Sequence, residues 1–212
     1  MTADVSTIFL LDVARGRGIE AELRDAVEEA QLVDWQTQWQ PALMSVLQEL
    51  ARRGVPIANW PQSWHWNWRE KTAQVKGLLA YRGFSVVCAG LTQGLMSINL
   101  NKLARIPAQR GKPLVYVDYL EVAPWNRADL GQAVRYRGVG TALLVAAAVL
   151  SRDEGFHGRI GLHSLPQADD FYRDRCGMTD LGPDADYQTL RYFEMTPDQV
   201  TVFLEGESGH EV

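Results

Sequence analysis

The chain has 212 residues, of which 46% are hydrophobic and 22% charged, and a formal net charge of −5. That is enough apolar material for one sizeable core, so a single domain over 1–204 with a helical N-terminal elaboration is expected, ahead of a tail (205–212) that has little to bury and is expected to fray. The acidic balance argues against a protein whose main partner is a phosphate backbone, because that footprint is a basic face. The longest apolar stretches, such as 142–150, fall well short of the ~20 residues that span a bilayer. Two cysteines, Cys88 and Cys176, in a chain without a charged-then-apolar leader point to free thiols in a reducing, cytoplasmic compartment. No nucleic-acid or membrane partner is expected.

In chain order, residues 8–13 (IFLLDV) form an apolar run closed by ARGRG, which predicts a buried strand and a turn. Residues 19–33 carry good helix formers, with apolar positions at 19, 23, 26, 27 and 30, and predict a helix. A second helix is expected from Pro41, with Leu43, Val46, Leu47 and Leu50 on its core face and Gly54 as its stop. The stretch WPQSWHWNWREK (60–71) holds four of the seven tryptophans and leads into a third helical segment ending near Gly83. Residues 84–90 and 95–100 are apolar runs joined by LTQG, a hairpin signal with glycine in the turn. After a polar linker, LVYVDYLEV (114–122) is the clearest strand. Residues 139–152 predict a helix stopped by Gly155, followed by a strand at 160–165, a short helix at 169–176 stopped by Gly177, and a strand at 188–195.

Two stretches carry chemistry. In VRYRGVGTALL (134–144), Arg135 and Arg137 precede Gly138 and Gly140 at the opening of a helix. The first turn of a helix has backbone N–H groups without intrahelical partners, and glycine there lets a phosphate approach the backbone unobstructed; the arginines add charge-assisted donors. The second stretch, ADDFYRDRCGM (168–178), follows the next predicted strand.

The order of strand, glycine turn, helix, strand and second stretch resembles the GNAT superfamily of acyl-CoA-dependent N-acyltransferases. Its pyrophosphate motif R/Q-x-x-G-x-G/A is matched by Arg135, Gly138 and Gly140. Its A-x-x-F-Y-x-x-x-G-F/M motif is matched by Ala168, Phe171, Tyr172, Gly177 and Met178, with one residue of slack before the glycine. The resemblance is sharp over 84–195 and looser ahead of it. It implies an α/β (α+β) fold with a mixed, centrally splayed sheet flanked by helices, and division of the domain into an acceptor side (1–83) and a cofactor-binding core (84–204). Two departures stand inside the sharp region: APWNRADLGQAV (123–134) is longer than the family's usual link and could act as a lid or a contact, and Leu165 replaces a common asparagine.

The resemblance implies acetyl-CoA as donor and an N-acetyltransferase that acts by direct attack of a primary amine in a ternary complex. The backbone of Leu120 and Val122 would pair with the pantetheine arm, and Arg135, Arg137, Gly138, Val139, Gly140 and Thr141 would take the pyrophosphate, with Arg137 the better side-chain contact. Tyr172 would protonate the leaving thiolate. For the base, strand alternation sends Asp118 and Glu121 to opposite faces; Glu121 is preferred, with His163 and His65 as substitutes. Trp64, His65 and Trp66, with His163, could line the acceptor, although packing is the preferred role for the tryptophans. No metal site and no acyl-cysteine are expected. The acceptor is a small-molecule or peptide amine of unspecified identity, and a homodimer is compatible with the sequence. A catalytically silent acyl-CoA sensor or scaffold is the alternative, and action on an aminoacyl-tRNA a weaker third.

Overall fold

The computed structural model describes residues 4–208. They group into two compact units. One comprises 4–78, Gly83–Met96 and Leu120–Leu143, and the other Leu79–Arg82, Ser97–Tyr119 and 144–208.

The first unit opens with an antiparallel hairpin of β1 (Val5–Asp12) and β2 (Arg17–Arg24), in register from Val5↔Arg24 to Asp12↔Arg17. The helix expected over 19–33 is therefore half strand. Ile19, Ala21 and Leu23 alternate with Glu20, Glu22 and Arg24, and this period of two, satisfied by pairing with β1, outweighs good helix propensity. Helix α1 begins only at Glu29–Asp34, where Glu28 and Gln31 form a reciprocal capping box.

The chain stays helical through a π-turn at Trp35–Trp39 into α2 (Gln40–Arg52). Gln40 N–H reaches Trp35 O across that turn, so Pro41, which has no N–H to give, falls where the regular ladder is already interrupted. Leu43, Val46 and Leu47 form a buried cluster with Leu130. Gly54, at φ +70°, follows the end of α2 as expected. Beyond it come two short 3₁₀ turns, Ile57–Asn59 and Gln62–His65, and α3 (Trp68–Val75), whose cap Asn67 accepts from the N–H groups of Arg69 and Glu70. That helix ends well short of Gly83, which lies inside β3 (Tyr81–Cys88).

The β3 hairpin turns at Ala89 and Gly90, both at positive φ (52° and 75°), and β4 (Leu91–Leu103) starts at once. LTQG is thus strand, not turn. Gly94 is needed for clearance, since a Cβ there would stand 2.6 Å from Val139 Cγ1 and 3.0 Å from Leu143 Cδ1. Strand neighbours in this unit run β6-β1-β2-β3-β4, where β6 is the two-residue Tyr136–Arg137 paired with Leu11 and Asp12.

The second unit holds neighbours β4-β5-β7-β9-β8, with β5 at Pro113–Val122, β7 at Ile160–Ser164, β8 at Thr179–Pro183 and β9 at Arg191–Met195. β5 and β7 are parallel, the connection between them carrying α4 (Val139–Asp153); β7 with β9 and β9 with β8 are antiparallel. The parallel ladder covers only Val115↔Ile160 to Val117↔Leu162, although β5 continues to Val122.

The strand expected from 188 begins at 191, because Gln188 and Thr189 occupy the left-handed region (54° and 61°) in the turn. β8 was missed, its run broken by Gly182 and Pro183. So was α5 (Pro197–Ser208), whose capping box pairs Thr196 with Gln199, each backbone N–H donating to the other's side chain. It carries 205–208 into helix where a frayed tail was expected; residues 209–212 lie outside the described residues. The class is α+β, a mixed sheet with flanking helices, as expected.

Candidate active site

The glycine loop belongs to the first unit. Gly138 takes φ +96°, a conformation costly for any residue with a Cβ, and its carbonyl accepts from Ala142 N–H at 2.8 Å, which makes it the residue that opens α4. A Cβ at Gly138 would meet nothing nearer than Leu10 Cδ2 at 3.7 Å, so backbone geometry and not crowding requires the glycine. Arg135, Arg137 and Gly138 are exposed, Gly140 is half-buried, and Val139 and Thr141 are buried. The Arg135 guanidinium lies over the Trp125 ring, 5.3 Å from its centroid. Arg137 makes no side-chain hydrogen bond or ion pair among the described residues, which leaves its guanidinium available to an anion.

The long link after β5 is packed. Pro124–Asn126 and Ala128–Leu130 are 3₁₀ turns; Leu130 joins the α2 cluster, and Arg127 donates to Ser63 Oγ and, through two nitrogens, to Asp129. Of the two roles open to it, lid or contact, these bonds favour contact.

In the same unit Leu120 and Val122 are half-buried and Glu121 is buried. Trp68 Nε1 donates to Glu121 Oε2 at 2.6 Å. Burial raises the Glu121 pKa above the usual carboxylate value, against the Trp68 and Ser63 hydrogen bonds and the nearby charges of Arg127 and Lys71, which pull it down. Sequence alone had not pointed to Trp68, Ser63 or Arg127 as its neighbours. Of the three tryptophans at 64, 66 and 68, only Trp68 is buried, and Trp64 lies in a 3₁₀ turn. Trp64 is exposed, edge-on to Trp60 and to His65, also exposed, and Lys71 Nζ lies 4.8 Å from the Trp66 ring centroid.

Tyr172, in the second unit, sits in a π-turn (Phe171–Arg175) closed by Cys176 N–H to Phe171 O. The wider turn holds one residue more than a regular one, which physically accounts for the slack before Gly177 (φ +66°). Its ring packs against Phe171 and Phe193, and burial holds the phenol protonated far above neutral pH. Asp118 is half-buried in this unit; its charge adds to the Tyr187 hydrogen bond in raising the Lys102 pKa and to burial in raising that of Tyr119.

His163 is enclosed. Its Nδ1 meets Tyr116 Oη at 2.5 Å, its Nε2 meets Asp184 Oδ2 at 2.9 Å, and its ring stacks on Tyr187 at 3.9 Å. Burial lowers its pKa, so the neutral ring donates from Nε2 to Asp184 and accepts from Tyr116. Arg105, then His163, hold Asp184 at about 2. Both cysteines are buried, and neither is part of a disulfide. Among the described residues, no group of three or more His, Cys, Asp or Glu is arranged to hold a metal ion and no helix is long and apolar enough to cross a membrane.

No family model and no curated protein sequence matches the chain. Among solved structures it is similar to the GNAT domain of S. lividans PAT, with 16% identity over 90% of this chain and 96% of that one and a TM-score of 0.52. It is also similar to the PaiA N-acetyltransferase of Thermoplasma acidophilum in complex with coenzyme A, with 15% identity over 83% of this chain and 98% of that one and a TM-score of 0.51. At such identities the likeness concerns architecture, and function has to be argued from the site. The fold of this chain is that of the GNAT superfamily.

Proposed function

We propose that the chain transfers an acetyl group from acetyl-CoA to a primary amine by direct attack in a ternary complex. The observation that carries this is the Gly138 corner: a positive-φ glycine opens a 15-residue helix in a GNAT fold, beside an exposed arginine, Arg137, that has no side-chain hydrogen bond or ion pair among the described residues. Backbone N–H groups of the first turn, with Arg137 and Arg135, would hold the diphosphate. The backbone of Leu120–Val122 would run alongside the pantetheine arm as an added strand does.

The amine nitrogen attacks the thioester carbonyl, the C–S bond breaks as the C–N bond forms, and two protons must move. Glu121, with a raised pKa, takes the amine proton; Tyr172, held neutral, gives its proton to the departing sulfur. Small-molecule and peptide amines are the proposed acceptors, and the chain's acidic balance argues against nucleic acid in that role.

An acetyl-CoA consumption screen across amine classes, with Gly140→Asp as control, tests this. Amine-dependent thiol release is expected, and the added carboxylate abolishes it by repelling the diphosphate. CoA at a hundredfold over its Kd should raise Tm by about 5–10 °C. A Tm rise without turnover on any amine would favour a silent acyl-CoA sensor, and no Tm rise would defeat both.

A further inference from the structure

Gln93 is a polar residue buried to 1% exposure on β4, and every hydrogen-bonding position of its amide is used. Nε2 donates to the carbonyls of Cys88 (3.2 Å) and Leu91 (3.1 Å). Oε1 accepts from Trp125 Nε1 (2.8 Å) and Asn126 Nδ2 (2.9 Å). Two carbonyls on one side and two N–H groups on the other dictate which end is oxygen. The Gln93 backbone carbonyl also accepts from Ala123 N–H at 2.9 Å.

The two side chains oriented by Gln93 face the glycine loop. Asn126 Oδ1 accepts from Tyr136 N–H at 3.0 Å, Trp125 O accepts from Arg135 N–H at 2.9 Å, and the Trp125 ring carries the Arg135 guanidinium. Tyr136 and Arg137 form β6, and Gly138 follows directly. One buried amide therefore stands behind both hydrogen bonds that close residues 125–136 into a loop and deliver the chain to the helix corner. No shorter, charged or apolar side chain offers two donors and two acceptors at this reach.

We propose that Gln93 is a positioning residue of the donor site: through Trp125 and Asn126 it holds the Arg135–Gly138 backbone in the conformation that meets the diphosphate of acyl-CoA. The inference rests on the donor site proposed above, and it assigns the long link after β5 the task of transmitting that hold.

The test compares the whole protein with Gln93→Met, near in volume but without the four bonds, and with Trp125→Phe, which keeps a ring under Arg135 and deletes one donor. Hydrogen exchange is read in the ligand-free proteins and CoA affinity by calorimetry. The amides of 135–140 should exchange faster in both variants while those of Arg191–Met195 keep their wild-type rates. The Kd for CoA should rise about tenfold in Gln93→Met, the scale of one net hydrogen bond, and less in Trp125→Phe. With an amine that turns over, KM for acetyl-CoA should rise at unchanged kcat, a split that general loosening of the fold does not produce. Wild-type exchange at 135–140 in Trp125→Phe and in folded Gln93→Met, or equal acceleration everywhere, overturns the proposal. Failure of the wild-type protein to bind CoA would instead remove the donor site, and the exchange comparison would still judge whether Gln93 positions the loop.

Discussion

Gly94→Ala tests how closely the start of α4 is seated on β4. The new methyl would lie 2.6 Å from Val139 Cγ1 and 3.0 Å from Leu143 Cδ1, against about 3.5–4 Å for carbons in contact. Both neighbours are buried, so neither can swing into solvent. Overpacking of this kind costs about 1–3 kcal/mol, and replacing a strand glycine returns about 0.5–1 kcal/mol. The net loss of about 1–2 kcal/mol lowers Tm by about 2–8 °C for a chain of this length. Because Val139 directly follows Gly138, the displacement falls on the corner proposed to hold the diphosphate, and affinity for CoA should drop beyond what a similarly destabilised variant shows. Gly161→Ala provides that comparison in the second unit, where a Cβ would meet Tyr192 Oη at 2.5 Å and Leu114 Cδ2 at 3.2 Å. Calorimetric melting and CoA titration of both variants decide. A Gly94→Ala protein that melts and binds CoA like the wild type, or two variants with equal losses of affinity, would refute the reasoning.

Tyr172→Phe should lower kcat by about a hundredfold or more while the Kd for CoA stays within about twofold; equal losses in both would end the acid role. For Glu121, burial raises the pKa, so kcat/KM should show an acid limb above the ordinary carboxylate value, absent in Glu121→Gln when a weakly basic amine is the acceptor. The same shift favours the protonated form in the folded state. Its contribution to stability is thus fully present below the unfolded pKa and lost as pH rises through the folded one, a fall that Glu121→Gln should flatten in urea midpoints measured against pH. Asp184 has the opposite sign. Held at about 2 by Arg105 and His163, it contributes stability above the unfolded value of 3.8 that is lost as pH falls toward 2, and Asp184→Asn should show a shallower acid decline in Tm over that window.

Legibility along the chain followed the reach of the forces involved. Helix α4 and strand β5 were readable because their apolar patterns are long and regular, and the Arg-x-x-Gly-x-Gly stretch because glycine at a helix opening has a local backbone reason. Residues 19–24 misled because good helix formers were also spaced by two, and only the partner strand chose between the periods. LTQG misled for a related reason: Gly94 answers to Val139 and Leu143, far along the chain, whereas the true turn used Ala89, which carries no turn signal beyond its neighbour Gly90. The slack before Gly177 stood in the sequence as an oddity, and a π-turn gave it a shape.

By itself, then, the sequence determined what depends on near neighbours: the apolar faces, the helix stops at Gly54, Gly155 and Gly177, and the glycine corner with its arginines. Tertiary structure alone decided which distant groups meet. Glu121 is bonded to Trp68, His163 to Asp184, and Gln93 to Trp125, pairs with no fixed spacing in sequence. The physical reason is that a buried polar group must find a partner wherever the fold brings one, and that search is settled in space and not along the chain.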